Sequence, residues 1–152
     1  MVSLKGKSKG FTIVELLIVI VVIGILATLV IVTFTGIQQK ARNSQRQTDI
    51  NAVDSHVEAY YASNGYYPTL QDLQTASFLS GNLKGLDPQS LVDPKGGNVA
   101  ATADASHYSY VASGASGCVN TTASDPSTNA GCDSFTLTAN LEGGTTYVKK
   151  SN

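Results

Sequence analysis

Between Phe11 and Phe34 the chain reads FTIVELLIVIVVIGILATLVIVTF, and residues 16 to 32 of that run hold no charge and a single polar side chain beyond glycine, Thr28. Apolar positions follow one another without a period, so an element formed here is greasy on every side. As an α-helix the run is about 36 Å long, enough to cross the ~30 Å hydrocarbon layer of a bilayer. Its Val and Ile residues favour strands in water, but in lipid a helix satisfies every backbone polar group internally. A membrane-spanning helix is therefore predicted. One carboxylate, Glu15, lies inside the run. An ionisable residue at such a position is costly and marks a functional site by default.

The pattern changes after Gly36. In IQQKARNSQRQTDINAVDSHVEAYYASNG, the residues Ile50, Val53, Val57 and Tyr60/Tyr61 recur at three- and four-residue steps, which makes one apolar stripe on a helix that faces a sheet. Asn64-Gly65 is a stop signal, because glycine accepts the left-handed conformation at a helix end. The prediction is one helix over residues 11–64, a stem at about 11–36 and an amphipathic half beyond it. Thr69 with Asp72 forms an N-cap pair opening a short helix through Leu70 and Leu73. An irregular connector, SGNLKGLDPQSLVDPKGGN, follows. Strand-like alternation then appears in HYSYVAS (107–113), SFTLTANLE (134–142) and TTYVKK (145–150), the last two joined by a turn at 142–144. The fold class is α+β: a long N-terminal helix packed on a small antiparallel sheet in a head of residues 65–152.

Composition and charge narrow the possibilities. All four prolines lie in the head, and the formal net charge is −1. Without Lys5, Lys7 and Lys9 the balance is 7 basic against 11 acidic residues, which argues against a nucleic-acid grip built on phosphate neutralisation. Lys40, Arg42 and Arg46 read as a solvated helix face close to lipid head groups. Cys118 and Cys132 lie 14 apart in a polar, loop-like region without the further Cys and His ligands a zinc site needs. A disulfide is the reading, stabilising the head by about 3 kcal/mol on the loop-entropy argument. It implies an oxidising compartment. Basic residues flank the stem almost equally, so the disulfide fixes the orientation, with the head outside and the lysines inside. No small-x-small cleavage site follows the apolar run, so the stem is expected to stay attached.

No catalytic constellation, phosphate loop or cofactor motif is visible, and the chain is not expected to be an enzyme. His56 and His107 have no evident nucleophile or metal partner and read as surface or strand-edge residues. DPSTNAGCD places oxygen donors at Asp125, Ser127, Asn129 and Asp133, in the alternation of a calcium loop but without its glycine and bidentate glutamate. The pairs Tyr60-Tyr61 and Tyr66-Tyr67 read as core with hydrogen-bonded hydroxyls.

The string KGKSKGFTIVELLIVIVVIGILATL resembles the N-terminal signature of type IV pilins and their relatives, the pseudopilins of type II secretion and the competence pilins. NGYYPTLQDL resembles the turn that follows their long helix. The resemblance implies that residues 1–10 are a leader cut after Gly10 by a prepilin peptidase, that Phe11 becomes the N-methylated first residue, and that Glu15 is the assembly glutamate. It further implies a precursor in the inner membrane, handled by the pilus assembly machinery and polymerised with copies of itself into a surface filament. A freed α-amine on Phe11 is largely cationic near neutral pH, so it and Glu15 of a neighbour could neutralise each other and set register. The chain departs from the many members that carry a late proline in the stem; only Gly24, Gly36, Thr33 and Thr35 offer soft points. The expected function is a major pilin. The alternatives are a pseudopilin or minor pilin, and a membrane-anchored adhesin that never polymerises.

Overall fold

The computed structural model describes residues 10–114, 118–120 and 132–151. The chain separates by internal packing into two units, Met1–Gln38 and Gln39–Asn152. Helix α1 (Ile13–Asn64) begins in the first and ends in the second.

In the first unit α1 continues through Gly24 and Gly36 without a break. No proline removes a donor here, and the threonine hydroxyls bond back to the preceding turn: Thr28 to the Ile25 carbonyl at 2.8 Å, Thr33 to that of Leu29 at 3.1 Å and Thr35 to that of Val32 at 2.9 Å. These bonds satisfy each hydroxyl within the helix that carries it. The most apolar window has a mean hydropathy of 3.3, and none of it is buried.

In the second unit the predicted stripe is the buried one: Ile50, Val53, Val57 and Tyr60 are at most 5% exposed. Gly65 ends α1 with φ at 79°, and its amide donates to the Tyr61 carbonyl at 2.7 Å. Helix α2 (Leu70–Leu73) opens on a capping box: Thr69 N–H donates to Asp72 Oδ2 at 2.8 Å while the Asp72 amide donates back to Thr69 Oγ1 at 3.3 Å. A helix not expected, α3 (Ala76–Asn82), runs into the start of the connector expected to be irregular, and the connector itself contains a 3₁₀ turn, Pro88–Leu91. Both are too short to show a period. They persist because Leu79, Leu83, Leu86 and Leu91 are buried in the common core.

Strands β1 (Ser109–Ser113), β2 (Ser134–Asn140) and β3 (Thr146–Lys150) form an antiparallel sheet in that order. Tyr110 stands opposite Leu137, and Thr138 opposite Val148. Alternation puts Tyr110, Ala112, Phe135, Leu137 and Ala139 in one core cluster with the α1 stripe. Tyr67 and Tyr110 flank Phe135 with ring centroids at 4.9 and 5.7 Å. Tyr60 and Tyr67 are core, and each hydroxyl has a partner, Tyr66 at 3.2 Å and Glu58 at 3.0 Å. Tyr61 differs from the expectation: it is 37% exposed and stacks on Tyr67 at 4.3 Å. The β2–β3 turn uses Gly143 and Gly144 at φ 107° and 88°, a region that side chains rarely adopt.

Candidate functional site

The N-terminal tip of α1 is held by two residues, Thr12 and Glu15. Thr12 is the last non-helical residue. Its N–H and hydroxyl donate to Glu15 Oε2 at 3.2 and 3.1 Å, and the Glu15 amide donates to Thr12 Oγ1 at 3.2 Å. That is a capping box, in which the carboxylate and the hydroxyl satisfy donors the helix leaves orphaned. The carboxylate also sits in the first turn, where the helix dipole favours a negative charge. Glu15 therefore has partners within its own chain, and the sequence signal was the Thr-x-x-Glu spacing. Gly10 and Phe11 precede the helix, and Phe11 is 83% exposed. The Gly10–Phe11 bond is thus outside the helical hydrogen-bond ladder and two residues from Ile13.

A second charged constellation lies in the head. Arg42 makes a bidentate pair with Glu142, Nε at 2.5 Å and Nη2 at 2.8 Å. Asn43 grips the backbone of the same residue, accepting from its N–H at 2.8 Å and donating to its carbonyl at 2.9 Å. Arg46 is fully buried and bidentate to Asp93 at 2.6 and 2.9 Å, with a further bond to the Ala105 carbonyl at 3.2 Å. This corrects the expectation of a solvated basic face: two of its three cations are consumed in tying α1 to the β2–β3 turn and to the 92–98 loop. Their partners lie 47 and 100 residues away, beyond the reach of any local pattern. The hydrogen bonds from Arg42 hold the Glu142 carboxyl down at about 2. Asp49, by contrast, is buried, accepts from Tyr108 at 2.9 Å, and is pushed above its ordinary value by burial.

Cys118 and Cys132 are joined, with Cα atoms 4.9 Å apart. Beside this bridge Asn120 accepts from the Leu70 and Ala112 amides at 3.0 and 3.2 Å and donates to the Tyr110 carbonyl at 3.2 Å. One side-chain amide thereby serves both the start of α2 and the outer edge of β1. Of the calcium-loop candidates, Asp125, Ser127 and Asn129 lie outside the described residues. The Asp133 amide donates to the Ser113 carbonyl at 3.1 Å, and among the described residues no group of three acidic, His or Cys side chains could hold a metal. His107 does have a partner that sequence reasoning missed: its Nδ1 lies 2.8 Å from Asp104 Oδ1 and 3.2 Å from Ser106 Oγ. Both contacts fall on one ring nitrogen, so the imidazole cannot relay a proton from Ser106 to Asp104. Hydrogen bonds from Ser106 and His107 lower the Asp104 carboxyl to about 2. His56 Nδ1 lies 2.9 Å from the Ala52 carbonyl.

An apolar stem that opens on a Thr-x-x-Glu tip behind an exposed Gly-Phe bond is matched by a known pattern. The family described as the prokaryotic N-terminal methylation motif matches residues 5–31. Residues 5–31 carry the prepilin-type N-terminal methylation motif. The chain is 40% identical over 63 residues to the Type II secretion system core protein G of Escherichia coli, covering 41% of the chain and 43% of that relative. It is 37% identical over 67 residues to the protein of the same name from Aeromonas hydrophila, covering 44% and 47%. It is also 31% identical over 61 residues to the Type IV major pilin protein PilA of Myxococcus xanthus, covering 40% and 28%. The chain thus spans less than half the length of the curated relatives it matches. No solved structure matches. The long apolar helix and three-stranded sheet are those of an α+β pilin-like fold.

Proposed function

We propose that this chain is a pseudopilin-type subunit, made as a precursor in the cytoplasmic membrane and assembled with copies of itself through its stem. The expectation placed a major pilin first. Similarity to the core protein G of type II secretion, up to 40% identity against 31% for the major pilin PilA, favours the pseudopilin reading. A prepilin peptidase cuts after Gly10, Phe11 becomes the methylated N-terminus, and the head lies on the outer side of the membrane.

The observation that carries this reading is the stem itself. From Phe11 to Ile37 its large apolar side chains are all exposed within the single chain. At ~1.5–3 kcal/mol for each such side chain, leaving the stem in water costs tens of kcal/mol. It must lie in lipid or against other stems. In either place the Glu15 carboxylate is expensive unless compensated. Thr12 supplies hydrogen bonds within the chain, and the amine freed on Phe11 of a neighbour supplies the opposite charge. A misplaced subunit lacks that charge, which selects the register.

The test is Glu15→Val in cells that carry the assembly machinery. Insertion into the membrane stays normal, because the change only adds apolar surface, while filament growth slows. Normal filaments from Glu15→Val would refute the register role. The major-pilin reading, favoured by the similarity to PilA, predicts that the chain dominates surface fibres sheared from cells. The pseudopilin reading predicts that it does not.

A further inference from the structure

The sheet ends on β3, and the backbone of that strand is only half used. The Leu141 amide donates to the Thr145 carbonyl at 2.8 Å, and the Ser151 amide to the Phe135 carbonyl at 3.2 Å. With Ala139 opposite Tyr147 and Leu137 opposite Lys149, the odd-numbered residues of β3 turn their N–H and C=O groups to β2. Those of Thr146, Val148 and Lys150 turn the other way, to the free edge of the order β1-β2-β3. Among the described residues none of these six groups has a partner. Such a row is a template for a further strand.

The side chains along the same edge determine which strand it admits. Tyr147 and Lys149 point to α1: the first donates its hydroxyl to Asn51 Oδ1 at 2.9 Å, and the second lies 3.3 Å from Asp54 Oδ2. Thr146, Val148 and Lys150 alternate with them onto the opposite face, and all three are exposed. That face continues across the sheet as Val111, Thr136 and Thr138, so Lys150 is the one charge the three strands place on it. Among the described residues no carboxylate pairs with Lys150. A lysine on an edge deters indiscriminate pairing. It also selects a strand that brings a carboxylate opposite it. We propose that the β3 edge takes up an extended acidic segment of a partner protein as a fourth strand, with a carboxylate opposite Lys150 and a β-branched residue opposite Val148. An antiparallel addition continues the pattern of the sheet and gives the better-bonded ladder. The site lies wholly within the unit Gln39–Asn152, and it stands whether or not the stems assemble.

The test is residue-resolved amide hydrogen exchange of the full chain in micelles, with and without the capped peptide TETVTTT. Added antiparallel, this peptide sets Glu opposite Lys150 and Val opposite Val148. At saturating peptide the amides of Thr146, Val148 and Lys150 are expected to slow several-fold, while those of Tyr147 and Lys149, already bonded to β2, change little. Lys150→Glu is expected to weaken binding of that peptide by about 5-fold and to favour TKTVTTT in its place. Val148→Pro removes the central outward donor and leaves the β2 ladder intact, because proline is tolerated on an edge strand. It is expected to weaken binding by about 10-fold. No protection at the three outward amides, equal protection of the parent chain by TKTVTTT, or unchanged binding in Val148→Pro would each overturn the proposal. Should Val148→Pro fail to fold, the charge exchange at Lys150 decides by itself: an unchanged preference for TETVTTT overturns the proposal.

Discussion

At the scale of single residues, the head depends on charges that have left water. Arg46 and Asp93 are 0% and 2% exposed at their side chains, and a buried pair is far more costly to break than to replace. Arg46→Ala is expected to destabilise the head by about 3–5 kcal/mol, since it strands Asp93. Arg46→Met with Asp93→Leu should recover most of that loss; chemical denaturation of the full chain in micelles measures both. Asp49 has the opposite sign. Burial raises its folded value above the ordinary 3.8, so the folded state takes up the proton first as pH falls. Its contribution to stability therefore rises with acid between the raised folded value and 3.8. Asp49→Asn is expected to remove that rise and to be no less stable than the parent at pH 7, as thermal melts across pH would record. A loss at pH 7 comparable to Arg46→Ala would contradict it. None of these partnerships was legible in the sequence. A basic residue on a polar helix looks solvated until its distant carboxylate is known.

At the scale of elements, what is local could be read and what is long-range could not. The stripe Ile50, Val53, Val57 and Tyr60, the Thr69–Asp72 cap and the alternation of β2 are spacings within a few residues, and each appears where the pattern put it. Helix α3 and the 3₁₀ turn were missed because burial of their leucines, not periodicity, holds them. The β2–β3 turn was visible as Glu-Gly-Gly, but its capture by Arg42 and Asn43 was not. That capture has a pH signature. Glu142 titrates at about 2 in the fold against an ordinary 4.5, so its contribution is complete above pH 4.5 and is lost as pH falls towards 2. Glu142→Gln should flatten the acid limb of the melting curve across that window, and an unchanged limb would contradict the latch. The bridge between Cys118 and Cys132 closes a loop of 14 residues, for which loop entropy gives about 3 kcal/mol. Replacing both cysteines by serine should cost the head roughly that much by urea denaturation.

At the scale of the whole molecule, one chain carries two solutions to the same physical problem. The half of α1 beyond Gln38 has its apolar stripe covered by the chain's own sheet, whereas the half before it is left uncovered among the described residues. The sequence made that division plain, because a run apolar on every side cannot be finished by one small head. On the proposed reading, the stem is released from its lysines at the Gly10–Phe11 bond. The most direct measurement is mass spectrometry of the N-terminus of the chain that sediments with assembled filaments. The account predicts chains that begin at Phe11 and carry a methyl group on its amine. Filaments built from chains that still hold residues 1–10 would contradict it.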